Sequence, residues 1–413
     1  MSRFRVIILG SDDNAYGTAR LLHERYGDPK PLMLCTRQLR ATAYSRLFEL
    51  RVIGDLDTDE GFVRGLRAVL EEQKPHYEKL FVVPCSDYYL YLLSRHYAAF
   101  DGMIANRVIS EELLTKLDTK DSFYKLCEQY GLRYPKTLVA VPAERLTVLD
   151  GDPLSFPIVV KPENSNATEY LNCKFEGKLK VFYFENKEDY LRMVANMNAS
   201  DYTGKLILQE YVPGDDSAMR TLNCYVGSDG KVKCAVLGHV VLEEYAPKTL
   251  GNYAAIVTER DAEISEKLSR FLEAIGYIGF ANFDMKVDPR TGKEYLFEIN
   301  PRLGRSSFFV HGTGVNMMEL LIEDYVNGST APAAYDFKEA LWTAVPKSVL
   351  LRYTANEEMK ETVRRLWKKG SVERTLFYTP DLRGNPRRRL TMLRHFYSYV
   401  KTYRTYFFEK QYK

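Results

Sequence analysis

Residues Phe283 to Arg302 alternate apolar and polar side chains on either side of Asp288-Pro289-Arg290-Thr291-Gly292, a run of turn formers, and so read as a β-hairpin. The turn sets the register, and the register decides which side chains meet. With the fold-back centred near residues 290–291, Asp284 lies opposite residues 297–298, where its carboxylate meets that of Glu298. Glu298 and Asn300 are two apart on one strand and share a face at about 7 Å spacing. Two carboxylates held together repel unless a cation lies between them. Asp284, Glu298 and Asn300 are therefore a candidate magnesium site. Magnesium takes one or two carboxylates and completes its shell with water and phosphate oxygens, so nucleotide is the expected co-ligand.

The first 110 residues alternate short apolar runs (Val6–Leu9, Pro31–Cys35, Leu80–Pro84) with helical stretches (Ala15–Tyr26, Asp59–Gln73), the pattern of an α/β domain with a parallel sheet. Gly10 stands at the first strand-to-helix turn. Asp12 and Asp13 then occupy positions where close pyrophosphate approach needs glycine or a permissive residue, which argues against NAD. A second strand end, Pro84-Cys85-Ser86-Asp87, faces the ligand crevice of such a sheet, so Ser86 and Asp87 are candidate substrate contacts; a helix N-cap is the plainer alternative. Beyond two helices, Glu111–Leu117 and Thr119–Tyr130, strands are expected at Pro157–Pro162, Lys180–Phe184, Lys205–Tyr211, Arg220–Val226 and Val232–Leu242. Helices are expected at 189–196, 263–275 and 315–326. The period-2 content of this part indicates antiparallel sheets. The expected division is 1–115, 116–330 with a central subdomain over about 140–212, and a C-terminal extension 331–413.

A chain of 413 residues that is 45% hydrophobic and 27% charged is an ordinary globular protein of two or three domains. Its six cysteines form no CxxC pair and lie near no histidine cluster, which argues against zinc and for free thiols in the cytoplasm. The run Val6–Leu9 is too short for a signal-peptide core, and no charge-free apolar stretch is long enough to span a bilayer. Net charge is +3, but nine Lys or Arg against two acids fall between Asp381 and Lys413. There Arg387-Arg388-Arg389 is followed by Leu393, Phe396, Val400, Tyr403 and Phe407 on one helical face. This stripe packs on its own domain or contacts the inner face of an anionic membrane. No recognised module for nucleic acid accompanies the charge.

Lys120, in Asp118-Thr119-Lys120-Asp121, and Lys161, at the end of an apolar strand, precede Leu206-Ile207-Leu208-Gln209-Glu210-Tyr211-Val212-Pro213-Gly214-Asp215-Asp216. With Asp284, Glu298 and Asn300, this order resembles the ATP-grasp superfamily over residues 119–326. The resemblance implies an α+β fold of two subdomains with antiparallel sheets. It implies that Lys120 and Lys161 reach ATP phosphates, that Glu210, Tyr211 and Val212 meet the adenine edge, and that Asp216 or Asp215 takes the ribose hydroxyls. Ammonium groups suit this as mobile point charges, and an extended backbone offers the donor and acceptor adenine needs. One departure is plain: no glycine follows Lys161 until Gly177, so Ser165, Asn166 and Thr168 are the donors that a polar lid would offer.

Asp118-Thr119-Lys120 through Phe123-Tyr124, Asp215 through Arg220, and Glu298 through Ser307 further resemble the carboxylate-amine ligases of the D-aspartate ligase family. That resemblance implies phosphorylation of an aspartate side-chain carboxylate by ATP and attack of an amine, implied to belong to a peptidoglycan precursor peptide, on the acyl phosphate. Arg302 and Arg220 are the candidate catalytic cations beside Lys161, suited to a transferring phosphoryl group. Arg305, Ser306 and Ser307 are candidates for the carboxylate substrate, by bidentate recognition in the case of arginine. His311 reads as structural. Other readings are an amino-acid ligase making a dipeptide or amide metabolite, a phosphotransferase, and a catalytically silent nucleotide-binding regulator, against which the intact metal set argues.

Overall fold

The computed structural model describes residues 2–151, 154–163, 168–179, 181–247, 249–328 and 337–407. Two compact units emerge: residues 2–123, 215–285 and 298–407 form one, and residues 124–214 with 286–297 form the other.

The larger unit opens with β1 (Ser2–Leu9), α1 (Asp13–Tyr26), β2 (Leu32–Cys35), β3 (Glu49–Val52), α2 (Asp59–Gln73), β4 (Tyr77–Pro84) and α3 (Asp87–Arg95). The four strands pair in parallel in the order β3-β2-β1-β4. Ile7, Leu9, Leu34 and Val82 pack with Phe62 and Leu66 of α2, while Ile8, Met33 and Val83 join Ala15 and Ala19 of α1. Burial on both faces is why these strands are continuous apolar runs rather than alternating ones. The strand ends lead into capped helices. Asp12 accepts the Ala15 N–H at 2.9 Å, and Ser86 accepts the Tyr89 N–H at 3.2 Å. Next come α4 (Glu111–Asp118) and, after Thr119 alone, α5 (Lys120–Gln129), which puts Lys120 in a first helical turn.

The smaller unit holds β5 (Thr137–Ala140), β6 (Ile158–Pro162), α6 (Thr168–Asn172), β7 (Phe182–Phe184), α7 (Lys187–Asn198) and β8 (Leu206–Glu210). Its antiparallel sheet runs β5-β8-β6-β7. Ile158, Val160, Leu206 and Leu208 pack against Tyr190, Val194 and Met197 of α7. Lys161 pairs with Ile207 and Val159 with Gln209, so these four occupy the opposite face of the sheet from that core. Ser165 and Asn166, and the side chain of Thr168, lie outside the described residues, as does Lys180.

The chain then builds β9 (Met219–Val226), β10 (Val232–Glu243), β11 (Tyr253–Glu259), α8 (Ala262–Ala274), β12 (Gly279–Val287) and β13 (Glu294–Asn300). It continues with α9 (Phe309–Gly312), α10 (Met317–Asn327), β14 (Leu341–Thr343), α11 (Lys347–Tyr353), α12 (Glu357–Lys369) and β15 (Val372–Glu373). The last helices are α13 (Thr379–Leu382) and α14 (Pro386–Tyr406). A seven-stranded sheet runs β13-β12-β9-β10-β11-β14-β15, so the C-terminal segment supplies its last two strands. Between β12 and β13 the Asp288 N–H donates to Lys293 O at 2.9 Å, which centres the fold-back where the turn residues place it. Gly292, at φ 68°, closes that turn in a conformation that other residues rarely take.

The apolar face of α14 packs on its own unit: Met392, Phe396, Tyr399 and Tyr403 are buried. Within the Arg387-Arg388-Arg389 run, Arg388 differs from its two exposed neighbours. It is fully buried, paired with Asp381 at 3.0 Å, donates to Ala43 O at 3.0 Å and stacks 4.3 Å over Tyr16. All six cysteines are free and buried, and among the described residues no helix is long and apolar enough to cross a membrane.

Candidate active site

Adjacent strands β12 and β13 bring the three proposed metal ligands together. Asn300 Nδ2 donates to Asp284 Oδ2 at 3.1 Å, which leaves the amide oxygen, the hard donor a metal would use, on the other arm of the amide. Tyr253, at the start of β11, donates its hydroxyl to Asp284 Oδ1 at 2.8 Å. Burial, and the Glu298 carboxylate beside it, push the Asp284 carboxyl up to about 7. Glu298 is the exposed member and lies 3.6 Å from the Lys120 ammonium. Burial and the charges of Asp87 and Glu298 likewise raise Asp118. Acids thus outnumber the two cations Lys120 and Arg302 here, an imbalance that a divalent ion offsets. Among the described residues no three His, Cys, Asp or Glu side chains converge on one point. A metal here would rest on two carboxylates and an amide, few protein donors for most ions but a normal number for magnesium, whose remaining positions go to water and phosphate.

Arg302 follows β13 through Pro301. Its Nε and Nη2 donate to the two carboxylate oxygens of Asp87 at 2.6 Å each, a fork-to-fork pair that fixes the guanidinium plane. The sequence flagged Asp87 and Arg302 as separate contacts, and the structure joins them. Asp12 lies near enough for the Arg302 charge to lower its carboxyl, although burial dominates and raises it to about 6. The caps of α1 and α3 therefore frame the Arg302 loop from the carboxyl ends of β1 and β4, where open parallel sheets present ligands.

Other candidates have internal partners. Arg220 is tied to Glu259 and donates to Ser217 O at 2.8 Å. Arg305 pairs with buried Glu244 at 2.5 Å and donates to Tyr253 O at 2.7 Å, bracing the strand that carries the Tyr253 hydroxyl. Ser307 accepts the Gly304 N–H at 2.8 Å and donates to Asn223, locking the loop after Arg302, with Ser306 buried beside it. Ser86 serves as the α3 cap. Asp216 turns inward, accepting the Glu243 N–H at 3.0 Å and the Tyr245 hydroxyl at 2.5 Å. Asp215, the other residue that the resemblance implies for the ribose, is exposed and accepts the Ser217 N–H at 2.9 Å.

In the smaller unit Glu210 ends β8 with its N–H donating to Lys136 O at 3.0 Å and its carboxylate accepting the Ser155 N–H at 2.8 Å. Tyr211 donates its N–H to Pro157 O at 3.0 Å, stacks edge-on with Tyr183 and carries the Lys286 ammonium 5.1 Å from its ring, with Val212 buried next in line. Sequence reasoning missed Tyr253, Glu244 and Glu259. Each acts on a partner far along the chain, and none carries a local signal.

No family model matches the chain. Its fold is that of solved structures such as the ADP complex of an N5-carboxyaminoimidazole ribonucleotide synthetase (TM-score 0.58, 14% identity, covering 82% of this chain and 81% of that one). An L-amino acid ligase from Bacillus licheniformis is similar to the same degree (TM-score 0.55, 14% identity, 82% and 77%). The class is the ATP-grasp fold. In sequence the chain is 37% identical to the D-aspartate ligase of Enterococcus faecium (strain Aus0004) over 422 residues, 99% of this chain and 98% of that one. It belongs to the D-aspartate ligase family and is a carbon–nitrogen ligase. A more distant match, 25% over 252 residues, is the carbamoyl phosphate synthase large chain of Xylella fastidiosa (strain 9a5c), of which the chain spans 22%.

Proposed function

We propose that the protein uses ATP and magnesium to join the side-chain carboxylate of aspartate to an amine, that of a peptidoglycan precursor peptide, in the cytoplasm. The observation that carries this reading is the Asp284–Asn300–Glu298 surface beside Lys120 and the Asp87-anchored Arg302, in a chain so closely related to a D-aspartate ligase.

A carboxylate resists amines because expelling oxide is prohibitive. Attack of a carboxylate oxygen on the γ-phosphorus expels ADP and leaves an acyl phosphate. The amine then adds to the acyl carbon, phosphate departs with the bridging oxygen, and the nitrogen loses a proton. Magnesium held by Asp284, Glu298 and Asn300 would neutralise charge on the phosphates. Lys120 and Lys161 contribute mobile positive charge to the polyphosphate, while the strand end Glu210 to Val212 and Asp215 take adenine and ribose. Arg302, its fork held by Asp87, offers its remaining N–H groups and its charge to the transferring phosphoryl group and to the oxyanion of the tetrahedral adduct.

The test is a screen of amino acids and amines by phosphate release and product mass, with Glu298→Ala as control. Loss of ATP turnover in Glu298→Ala is expected, and undiminished turnover sinks the metal assignment. If another acid gives amine-dependent product where aspartate of either hand does not, the substrate assignment fails and the ligase class stands.

The exposed face of α14 supports a second reading, contact with an anionic membrane. Arg387, Leu390, Arg394, Tyr397, Lys401 and Arg404 recur at intervals of three and four along it, and the helix contains no acid. Flotation with phosphatidylglycerol vesicles tests this. Binding that survives Arg394→Glu with Lys401→Glu removes the stripe from consideration.

A further inference from the structure

Tyr253 joins parts of the large sheet that strand pairing keeps apart. It opens β11, Asp284 lies on β12, and β9 and β10 stand between those two strands in the sheet order. Its buried side chain nevertheless reaches the candidate metal surface, where the hydroxyl donates to Asp284 Oδ1 at 2.8 Å. Asn300 Nδ2 donates to the other oxygen, Oδ2, at 3.1 Å. One donor on each oxygen fixes the rotation of the carboxylate about its Cβ–Cγ bond.

Tyr253 is itself held from behind. Its carbonyl accepts Arg305 Nη2 at 2.7 Å, and Arg305 pairs with buried Glu244 at 2.5 Å. The Glu244 N–H donates at 2.7 Å to the carbonyl of Asn252, the residue before Tyr253. From α14 the Tyr399 hydroxyl stands 3.3 Å from both Arg305 and Glu244. Burying an ion pair is costly. What this one secures is the backbone that carries the Tyr253 hydroxyl.

A carboxylate that cannot turn discriminates between ions. Magnesium is small, demands near-ideal octahedral geometry and is served by oxygens held in place. Calcium takes a carboxylate by one oxygen or by both, within a larger and more flexible set of ligands. Groups that orient a metal ligand commonly govern affinity by about tenfold to a hundredfold.

We propose that Tyr253 is a specificity-determining residue of the metal surface: by fixing the Asp284 carboxylate it favours magnesium over calcium. The inference rests on the magnesium assignment within the ligase reading. It gives Arg305 a positioning role, and it extends control of the metal surface through Glu244 and Tyr399 into the C-terminal helix.

Calorimetric titration of the full chain with ADP, in saturating magnesium, in saturating calcium and in EDTA, tests the proposal on wild type and Tyr253→Phe. An assay of amine-dependent ADP release from ATP runs beside it. Wild type is expected to bind ADP at least about tenfold tighter with magnesium than with calcium, and Tyr253→Phe to reduce that advantage about tenfold. ADP affinity in EDTA should stay within about twofold of wild type, which also shows that the variant is folded. A magnesium advantage that shrinks by less than about threefold overturns the proposal, whether the affinities fall together in all three conditions or do not move. If Tyr253→Phe binds no ADP in any condition, Arg305→Lys, which keeps the hydroxyl and loosens the backbone behind it, is judged by the same ratio. A wild type with no preference for magnesium over calcium overturns the role of Tyr253, and one that binds ADP no better with magnesium than in EDTA overturns the metal assignment with it. A wild type whose preference is lost in Tyr253→Phe, yet which forms no amine-dependent ADP, upholds the role of Tyr253 and overturns the ligase reading.

Discussion

Arg302 derives its usefulness from Asp87. A free arginine samples many rotamers, whereas a guanidinium gripped on two donors keeps its plane and the direction of its remaining N–H groups. Asp87→Asn preserves shape and removes the charge that holds the fork, so kcat should fall by about tenfold or more while KM for ATP stays within about twofold. Arg302→Lys should lose about 10²- to 10³-fold in kcat, the usual cost of a donor aimed at developing charge. Steady-state ADP release measures both, and an Asp87→Asn enzyme with unchanged kcat would remove the anchoring role. The two residues show how much of a site a sequence reveals. Each was visible alone, Asp87 at a strand end and Arg302 after the metal hairpin. Their pairing spans 215 positions, and no local spacing encodes it. Asp284, Glu298 and Asn300 were legible together because one hairpin turn carries the register.

At the scale of elements, strong periodicity made helices such as α2 and strands such as β1 and β6 legible. β3, with its Glu-Leu-Arg-Val pattern at a sheet edge, and the two-residue β15 gave no comparable signal, because the partner strand rather than the sequence makes them strands. Arg388 was legible as a charge but not as a buried one. Its pair with Asp381 joins α13 to α14, so Arg388→Ala should destabilise the fold by about 3–5 kcal/mol, whereas Arg387→Ala should change it by less than about 0.5 kcal/mol in urea titration. A second junction responds to pH. His311 of α9 sits 2.6 Å from Glu24 of α1 and 3.7 Å from Glu373 of β15, with Arg20 bonded to both acids. Those carboxylates outweigh burial and raise the imidazole to about 9. A folded-state value above the unfolded one means that the contribution is fully present below about pH 6.5 and is lost as pH rises to about 9. Unfolding free energy should therefore decline by on the order of 2 kcal/mol across that window, and His311→Gln should flatten the decline. An equal slope in the variant would assign the pH dependence to other groups.

For the whole molecule, the fold narrows the chemistry without choosing it, since solved structures of this fold include synthetases, carboxylases and amino-acid ligases. The choice comes from the site and the family together. In the proposed reaction a carboxylate substrate, phosphoryl transfer and an amine acceptor would share one intermediate, the acyl phosphate, whose formation would leave an isotopic record. Aspartate labelled with 18O in its side-chain carboxylate would give up one of those oxygens to the γ-phosphoryl group. When the amine adds and phosphate departs, the label leaves with it. Mass spectrometry of the inorganic phosphate should therefore find one labelled oxygen for each amide formed, and the product amide should keep the other. The record separates the alternatives that share this fold. Label in AMP would mean adenylyl transfer, and unlabelled phosphate beside unreacted aspartate that keeps both labelled oxygens would mean hydrolysis of ATP uncoupled from the carboxylate. A Glu298→Ala enzyme should yield no labelled phosphate, which ties the oxygen transfer to the hairpin surface rather than to a contaminating activity.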